Sequence, residues 1–456
     1  MTYVAKPVAK PAAEPATDHA AKPASDTPPI VVLGAGIVGI CTAAYLQRAG
    51  HRVLVIDRQA PGEAATFGNA GCINGSSVVP VAMPGVLKHV PKWLLDPQGP
   101  LVMRWRYLPT LAPWLVRFIA SGEANKVAAQ ARALRALVGA SLSDYAPLIQ
   151  DAGLHDLIFQ RGHLIAYTSD EGYAGDAGGM ALRARNGVQI EEIGQADLRA
   201  LEPDLSPAFL RARRIAETGH VSDPGQFTKR MAQAFVAAGG RIMQADILSL
   251  QTTGSRVSGV LTGNGVVPVQ SVVIALGAWS ATLTKQLGDR VLLDTERGYH
   301  IEVPQERTAA EVAAGTLSAG PRVPTLWNEG KMFATPMAGR VRAAGTVEFA
   351  GLEAPPDWRR AELLARQLAT MYPRIDQDIK RVGSEHLPRW LGFRPSTPDS
   401  LPVIGPASHY ANAIYAYGHG HIGLTAAAST GKVVTALIGG QPTGVDLQPF
   451  SVARFR

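Results

Sequence analysis

A glycine-rich segment near the start of the chain has the composition and spacing to hold a pyrophosphate. The segment Gly34–Gly39 reads Gly-Ala-Gly-Ile-Val-Gly and directly follows the apolar run Ile30–Leu33. In such a segment one glycine permits a tight strand-to-helix turn, one lets the backbone approach a pyrophosphate, and one allows close helix–strand packing. The N–H groups that begin the following helix then point at the phosphates. The segment therefore predicts a dinucleotide site.

An acidic residue at the end of the next apolar run completes this pattern. Asp57 closes the run Arg52–Asp57 and lies 18 residues after Gly39. A carboxylate about 20 residues after the glycines accepts hydrogen bonds from ribose hydroxyls. Arg58 comes next, but Asp57 would repel a 2′-phosphate, so we interpret Arg58 as a solvated cation. Strand, glycines, helix and acid thus follow the order that a dinucleotide site requires.

A second glycine-rich segment lies near the end of the chain. Tyr417–Thr425 reads Tyr-Gly-His-Gly-His-Ile-Gly-Leu-Thr and follows the Gly-Phe-Arg-Pro sequence of Gly392–Pro395. Arg394 in that sequence carries a planar fork of donors that can bind a carboxylate with two parallel hydrogen bonds. We find no group of His, Cys and carboxylate residues with metal-ligand spacing, so we expect no metal site.

Alternating strands and helices must position these segments. A helix over Ile40–Ala49 follows the first glycine segment and ends at Gly50. Hydrophobic patterns predict further helices at Ala124–Leu148 and Pro224–Ala238, and strands at Arg241–Gln244, Val257–Leu261, Val266–Val269 and Ser271–Ser280. Strands of the kind that begin the chain thus recur in its middle, which indicates interleaved rather than consecutive domains.

The composition indicates a large enzyme-like chain. The 456 residues are 46% hydrophobic, which is ample for a sizeable core and favours two or more domains. No run of about 18 uncharged apolar residues occurs, so we expect no transmembrane helix. Residues 1–28, rich in Ala, Pro and Lys, lack the apolar stretch of a signal peptide and are predicted to be a disordered tail. We expect a cytoplasmic location.

The chain is basic, with a formal net charge of +7. Its cations are spread along the sequence without a basic run or a nucleic-acid motif, so we expect no nucleic-acid partner. The segment 81–120 mixes Trp93, Trp105 and Trp114 with several Lys and Arg residues. Apolar residues interleaved with cations can mark a membrane-surface segment. The alternative, which we favour, is packing within a second domain, because six prolines are expected to break any long amphipathic helix there.

Together these motifs resemble the D-amino-acid oxidase family of flavoproteins, and within it most closely the bacterial D-amino-acid dehydrogenases. The resemblance spans roughly residues 29 to 445 and depends on both glycine-rich segments, on the loop Asn69–Gly71 and on the strand Val273–Ser280. It implies an α/β (α+β) fold with a glutathione-reductase-type, Rossmann-like FAD domain and an interleaved mixed-sheet substrate domain. We predict the FAD domain at 29–100, 215–290 and 385–445, and the substrate domain at 101–214 and 291–384.

The resemblance also implies roles for individual residues. The candidate catalytic residues are Arg394, which matches the family's carboxylate-binding arginine, Tyr299, which could donate to the same carboxylate or cap the pocket, and His421, which could lie near flavin and substrate. The candidate FAD-binding residues are Gly34, Ala35, Gly36, Ile37, Val38, Gly39, Asp57, Arg58, Asn69, Ala70, Gly71, Ile247, Gly277, Trp279, Gly420, His421, Ile422, Gly423, Leu424 and Thr425. Cys72 lies in a loop expected near the cofactor, and a covalent flavin link there is a further alternative.

The function that the resemblance implies is FAD-dependent oxidative deamination of D-amino acids to 2-oxo acids and ammonia, by hydride transfer to flavin N5. No second glycine fingerprint follows a later strand, which favours the substrate rather than NAD(P)H as the electron donor. Oxygen or quinone is the expected acceptor, the latter often at the membrane. Alternatives are oxidation of a secondary amine such as D-proline, hydroxyproline, sarcosine or glycine, an NAD-dependent dehydrogenase, and a non-enzymatic flavin-binding subunit.

Overall fold

The computed structural model describes residues 27–85, 99, 101–306 and 317–456. The predicted tail therefore lies almost entirely outside the described residues, as does Trp93 of the segment 81–120. Within the described part the fold is mixed α/β and is built on two large sheets.

The strands and helices alternate along much of the chain. The strands are β1 Ile30–Leu33, β2 Val53–Asp57, β3 Cys72–Ile73, β4 Leu101–Met103, β5 Ile158–Phe159, β6 His163–Tyr167, β7 Glu191–Ile193, β8 Arg211–Ile215, β9 Gly219–Val221, β10 Arg241–Gln244, β11 Ile247–Thr253, β12 Arg256–Thr262, β13 Gly265–Pro268, β14 Ser271–Ile274, β15 Asp294–Pro304, β16 Thr325–Trp327, β17 Met332–Met337, β18 Arg340–Phe349, β19 Arg389–Ser396, β20 Val403–Pro406 and β21 Ala413–Tyr417. The α-helices are α1 Ile37–Arg48, α2 Leu108–Ser121, α3 Ala124–Val138, α4 Ser141–Ala152, α5 Asp170–Gly175, α6 Ala177–Arg185, α7 Gln195–Leu201, α8 Pro224–Ala237, α9 Ser280–Gln286, α10 Arg359–Met371, α11 Pro373–Val382 and α12 Gly423–Ile438.

The first sheet has six strands in the order β10-β2-β1-β14-β21-β20. All neighbours are parallel except β20, which runs antiparallel to β21. All four residues of β1 are fully buried, as expected for a parallel strand covered on both faces. The predictions of strands before and after the glycine segment are confirmed, and β10, β14 and β21 join this sheet from the middle and the end of the chain.

Helices α1 and α12 pack against each other beside this sheet. A Cβ added to Gly431 of α12 would lie 2.8 Å from the carbonyl oxygen of Cys41 in α1, so the two backbones touch. This close approach brings the N-terminus of α12 to the same edge of the sheet as the N-terminus of α1, which begins at Ile37, three residues before the predicted start.

The second sheet follows the order β19-β15-β18-β17-β16-β6-β8-β7, with β4 also paired to β18. Helices α10 and α11 contribute to the apolar cluster that covers one of its faces. The long strand β15 pairs with β19 on one side and β18 on the other, so it brings residues of three distant segments together. The proposed division into two domains remains a prediction.

Two helix predictions are wrong. The helix expected over Ala124–Leu148 is two helices, α3 and α4, because the chain turns at Gly139, a residue that stabilises a helix interior poorly. The prolines of the segment 81–120 do not prevent a helix, since α2 contains Pro113. One backbone hydrogen bond is lost at Pro113, and burial of Leu111 and Trp114 offsets that loss.

Candidate active site

A cavity of about 920 Å³ lies between the two sheets. On one side it is bordered by the N-termini of α1 and α12, and on the other by β15, β18 and β19 of the second sheet. Its volume is at the upper end of the range typical of small-molecule and cofactor sites.

The first glycine segment forms a close-packed turn at one end of the cavity. Gly34 has a φ of +113°, and a Cβ there would lie 2.4 Å from the Ala275 carbonyl oxygen. A Cβ on Gly39 would lie 1.9 Å from the Gly34 carbonyl oxygen, so neither position accepts a side chain. Gly36 lines the cavity, and a Cβ there would meet only the Thr66 hydroxyl at 3.7 Å. Protein backbone therefore packs against one face of the turn, and the other face is open to the cavity. Backbone contact with a pyrophosphate requires this arrangement.

Asp57 joins the end of β2 to this turn. Its carboxylate accepts hydrogen bonds from the backbone N–H groups of Ala35 at 2.7 Å and Gln59 at 2.9 Å. The carboxylate also lines the cavity and can thus accept from a ribose while fixing the loop. The hydroxyl of Thr66 accepts from the Ile37 N–H at 3.1 Å. Thr66 was not predicted, since nothing in the local sequence distinguishes it from other loop threonines.

The cavity extends from Asp57 toward an aromatic residue and an exposed cation. The Arg58 guanidinium lies 4.6 Å from the ring centroid of Trp279, within the range of a cation–π contact. Ile247 and Gly277 line the same region. Arg58 is exposed, as the sequence predicted, but it is held against a ring rather than free in solvent.

The second glycine segment leads into α12 at the opposite end. A short 3-10 turn, Gly420–Ile422, precedes the helix, and Gly420 has a φ of +52° with open space around it. His421 is exposed to the cavity, where the partial loss of solvent around its ring and then the nearby Arg394 lower its pKa to about 4. His421 is therefore neutral at pH 7. His419 is buried and its Nε2 pairs with the Thr430 hydroxyl at 3.0 Å, which gives it a structural role.

Arg394 lies over a glycine on the neighbouring strand. A Cβ added to Gly298 would lie 2.3 Å from Cζ and Nη2 of Arg394, so only glycine leaves room for this guanidinium. Arg394 Nη1 donates to the Thr346 carbonyl at 3.0 Å. Burial lowers the pKa of Arg394, with Glu296 acting in the opposite direction. Among the described residues no carboxylate lies within 4.0 Å of this guanidinium, so it can bind an anion from the cavity.

The hydroxyl of Tyr299 has two partners outside the cavity. Its hydroxyl donates to Glu348 at 2.6 Å and accepts from the backbone N–H of Asp357 at 2.9 Å. The ring packs edge-on against Trp358 within the apolar cluster beneath the sheet. Successive residues of a strand point to opposite faces, so Tyr299 points away from the face on which Gly298 meets Arg394. The residue borders the cavity, but its hydroxyl is engaged elsewhere and the expected contact with a carboxylate is not supported.

Trp390 packs against the glycine-rich loop after β2 and lines the cavity. Added Cβ atoms on Gly68 and Gly392 would lie 1.9 Å and 1.8 Å from its ring, so two glycines make room for it. His300 stacks on Trp390 with ring centroids 5.3 Å apart, and its Nδ1 donates to the Gly68 carbonyl at 3.0 Å. Cys72 also lines the cavity, and burial raises the pKa of its thiol to about 12.

Most of the residues predicted for the site share this cavity. Those that line it are Gly36, Ile37, Val38, Asp57, Arg58, Asn69, Ala70, Ile247, Gly277, Trp279, Tyr299, Arg394, Gly420, His421, Gly423, Leu424 and Thr425. The predicted residues that lie behind its surface are Gly34, Ala35, Gly39, Gly71 and Ile422. Lining residues that the sequence analysis missed include Glu296, Lys331, Thr346 and Trp390.

The described ranges contain no group of three or more His, Cys, Asp or Glu residues arranged to hold a metal ion. None of the helices described in them is long and apolar enough to span a bilayer.

Comparison with known proteins agrees with this geometry. Residues 29–437 match the DAO family model, described as FAD dependent oxidoreductase. The chain is 38% identical over 429 residues to a D-amino-acid oxidase of Bradyrhizobium diazoefficiens, covering 93% of this chain and 98% of that protein. It is 31% identical to a D-amino acid dehydrogenase of the same organism, over 93% of this chain and 98% of that protein.

Solved structures share the fold. Glycine oxidase from Geobacillus kaustophilus superposes with a TM-score of 0.70 at 19% identity, covering 94% of this chain and 99% of that one. L-proline dehydrogenase from P. horikoshii has the same TM-score at 18% identity, covering 94% and 98%. Three features fit FAD, the cofactor that the family model names. They are the glycine turn, which leaves no room for side chains at Gly34 and Gly39, the acid at the end of β2, and the volume of the cavity. The chain belongs to the DAO family of FAD-dependent oxidoreductases.

Proposed function

We propose that this enzyme catalyses the oxidative deamination of D-amino acids to 2-oxo acids and ammonia. The observation that carries the proposal is Arg394, a partly buried guanidinium that faces the FAD-sized cavity with no carboxylate within 4.0 Å among the described residues. Such a cation in a cavity calls for an anionic ligand, and a bidentate carboxylate is the best geometric match. The relatives named D-amino-acid oxidase and D-amino acid dehydrogenase support the substrate class.

The residues at the two glycine segments would hold the cofactor. The turn of Gly36 and the start of α1 would take the pyrophosphate, and Asp57 the adenosine ribose. Gly420 and the N-terminus of α12 would face the flavin ring, where the positive end of the helix favours negative charge. When bound, FAD supplies a two-electron acceptor to the reaction.

The chain's own part in the reaction is positioning rather than acid–base chemistry. Arg394 binds the substrate carboxylate and thereby fixes the α-carbon against the cofactor. His421, with a pKa of about 4, adds no positive charge of its own beside Arg394. The substrate loses two electrons and two protons to become the imino acid. Water then adds to that imine and releases ammonia and the 2-oxo acid.

An anaerobic substrate panel tests the proposal. Enzyme loaded with FAD is mixed with D- and L-forms of alanine and other neutral amino acids, and with D-proline, sarcosine and glycine. Bleaching of the flavin band by primary D-amino acids is expected, whereas the L-forms should leave it unchanged. Bleaching confined to the secondary amines or glycine would favour the alternative activity, and no bleaching by any amine would contradict both.

We also infer that electrons pass to oxygen or quinone and that the surface of α2 contacts lipid. Val116 and Ile119 of α2 are exposed, as is Trp105 just before it, and Arg117 lies among them. The neighbouring side chain of Phe118 lines the cavity, so a lipid-dissolved acceptor would meet the enzyme near its site. Co-sedimentation with anionic vesicles tests the contact. Replacing Val116 and Ile119 by Ser should abolish it, and no binding by the parent enzyme at low salt would contradict it.

A further inference from the structure

A second cation lines the substrate end of the cavity. Lys331 precedes β17, and its side chain is exposed to the cavity that also contains Arg394. Its ammonium group donates to the neutral side-chain oxygen of Asn328 at 3.1 Å. Among the described residues no carboxylate lies within 4.0 Å of that ammonium, so its charge is not neutralised by an ion pair there.

Lys331 and Arg394 both contact the same part of β18. Arg394 reaches across Gly298 of β15 to the carbonyl of Thr346 on β18. Lys331 stands at the start of β17, the next strand, where its carbonyl oxygen would lie 3.0 Å from a Cβ on Gly345. The Arg394 guanidinium and the backbone of Lys331 therefore meet two adjacent residues of β18, Thr346 and Gly345, and both side chains line the same cavity.

Two residues next to Gly345 have a strained backbone: Thr346, which follows it in the chain, and Lys331, which lies opposite it before β17. Lys331 has a φ of +50° and Thr346 a φ of +58°, and they are two of the three described non-glycine residues with positive φ. For a β-branched residue this conformation is an outlier. Strain of this kind persists where the surrounding structure over-determines it and clusters at ligand sites. The irregular register between β15 and β18 at this point redirects the chain toward Arg394.

Charges of both signs surround Lys331. The acids that face it are Asp176, which accepts from the Tyr167 hydroxyl, and Glu329, of which one oxygen accepts from two backbone N–H groups and the Ser169 hydroxyl, while the other has no hydrogen-bond partner among the described residues. Arg183 adds a further positive charge. The partial loss of solvent around its ammonium group lowers the pKa of Lys331, and a bound carboxylate would offset that effect. The apolar side chains of Leu326 and Phe333 line the cavity nearby and suit methylene groups.

We propose that Lys331 forms a second carboxylate subsite and that the enzyme takes acidic D-amino acids, with Arg394 on the α-carboxylate and Lys331 on the side-chain carboxylate. This inference rests on the proposed function for the reaction itself. The subsite concerns ligand binding, however, and is measurable without turnover.

The test compares two unreactive ligands that differ in one charge. FAD-loaded enzyme is titrated with glutarate and with its monoamide, 4-carbamoylbutanoate, by calorimetry and by the change in flavin absorbance. One charge-assisted hydrogen bond predicts at least tenfold tighter binding of glutarate. In Lys331→Met the ratio of the two dissociation constants should fall to within twofold of one. Lys285 is an exposed lysine of α9, and Lys285→Met should leave the ratio unchanged. If the Met variant does not fold, Lys331→Gln serves instead.

Turnover separates this inference from the proposed function. D-glutamate should exceed D-glutamine in kcat/KM by at least tenfold, with D-alanine as the reference substrate. If D-alanine is oxidised and the two ligands bind equally, or the ratio survives Lys331→Met, the subsite is refuted and the proposed function stands. If no amino acid is oxidised but glutarate binds selectively through Lys331, the subsite is supported and the proposed reaction is not.

Discussion

Gly298→Ala is the substitution that best tests how the carboxylate is bound. The new methyl group would lie 2.3 Å from two atoms of the Arg394 guanidinium. Ordinary van der Waals contact begins near 3.4 Å, so the guanidinium must move by about 1 Å. Because the atoms in the way are the end of a flexible side chain, the fold can adjust by moving Arg394 alone. We therefore expect a stable protein with a misplaced arginine.

A displacement of about 1 Å at a positioning group costs on the order of 100-fold in rate. That factor corresponds to about 2.7 kcal/mol, which agrees with the loss of one charge-assisted hydrogen bond at about 1.5–3 kcal/mol. We predict a fall of about 100-fold in kcat/KM for D-amino acids, with FAD content retained. Overpacking should lower the free energy of unfolding by no more than about 1–3 kcal/mol.

The assay is steady-state oxidation with flavin content and thermal unfolding measured on the same samples. Gly178→Ala is the matched control, since nothing lies within 4 Å of its added Cβ and it lies in the surface helix α6. Its kcat/KM should equal that of the parent. A Gly298→Ala enzyme within threefold of the parent, with FAD retained, would refute the assignment of Arg394 as the carboxylate ligand.

Three other predictions follow from the site. Gly39→Ala places a Cβ 1.9 Å from a backbone oxygen, so the purified protein should lack FAD and unfold at lower temperature; a normal flavin spectrum would contradict this. Asp57→Asn weakens the hydrogen bonds to Ala35 and Gln59, and the Kd for FAD measured by flavin fluorescence should rise about tenfold, whereas an unchanged Kd would exclude this role. Burial lowers the pKa values of His163 and His300 to about 3, so the unfolded state binds more protons between about pH 3 and 6.5. The free energy of unfolding, measured in denaturant, should therefore fall as the pH drops below 6.5, and a flat profile would contradict the burial of these histidines as neutral groups.

The sequence predicted the cofactor end of the site well because the information there is local. A strand, a glycine turn, a helix and an acid occur within 30 consecutive residues. Each of them needs particular residue types that can be recognised in the sequence. The same holds for the turn before α12. The start of α1 at Ile37 was misplaced by three residues, since helix ends depend on hydrogen bonds that patterns define poorly.

The substrate end could not be predicted because its contacts join distant segments. The glycine at 298 gives no hint that its missing side chain accommodates Arg394, and the strain at Thr346 depends on an irregular register between β15 and β18. Tyr299 was expected, by resemblance to related enzymes, to donate to the carboxylate or to cap the pocket; it lines the cavity, but strand alternation directs its hydroxyl to Glu348. These features depend on which distant segments pair with each other, and the local pattern of one segment does not show its partner.

The central claim is that a carboxylate held by Arg394 orients an amine for oxidation. The most direct measurement is anaerobic flavin reduction by a D-amino acid compared with its amide, which keeps the amine and lacks the carboxylate. We predict rapid bleaching by D-alanine, at least 100-fold slower bleaching by D-alaninamide, and loss of that difference in Arg394→Met. Equal rates for the acid and the amide in the parent enzyme would contradict the account.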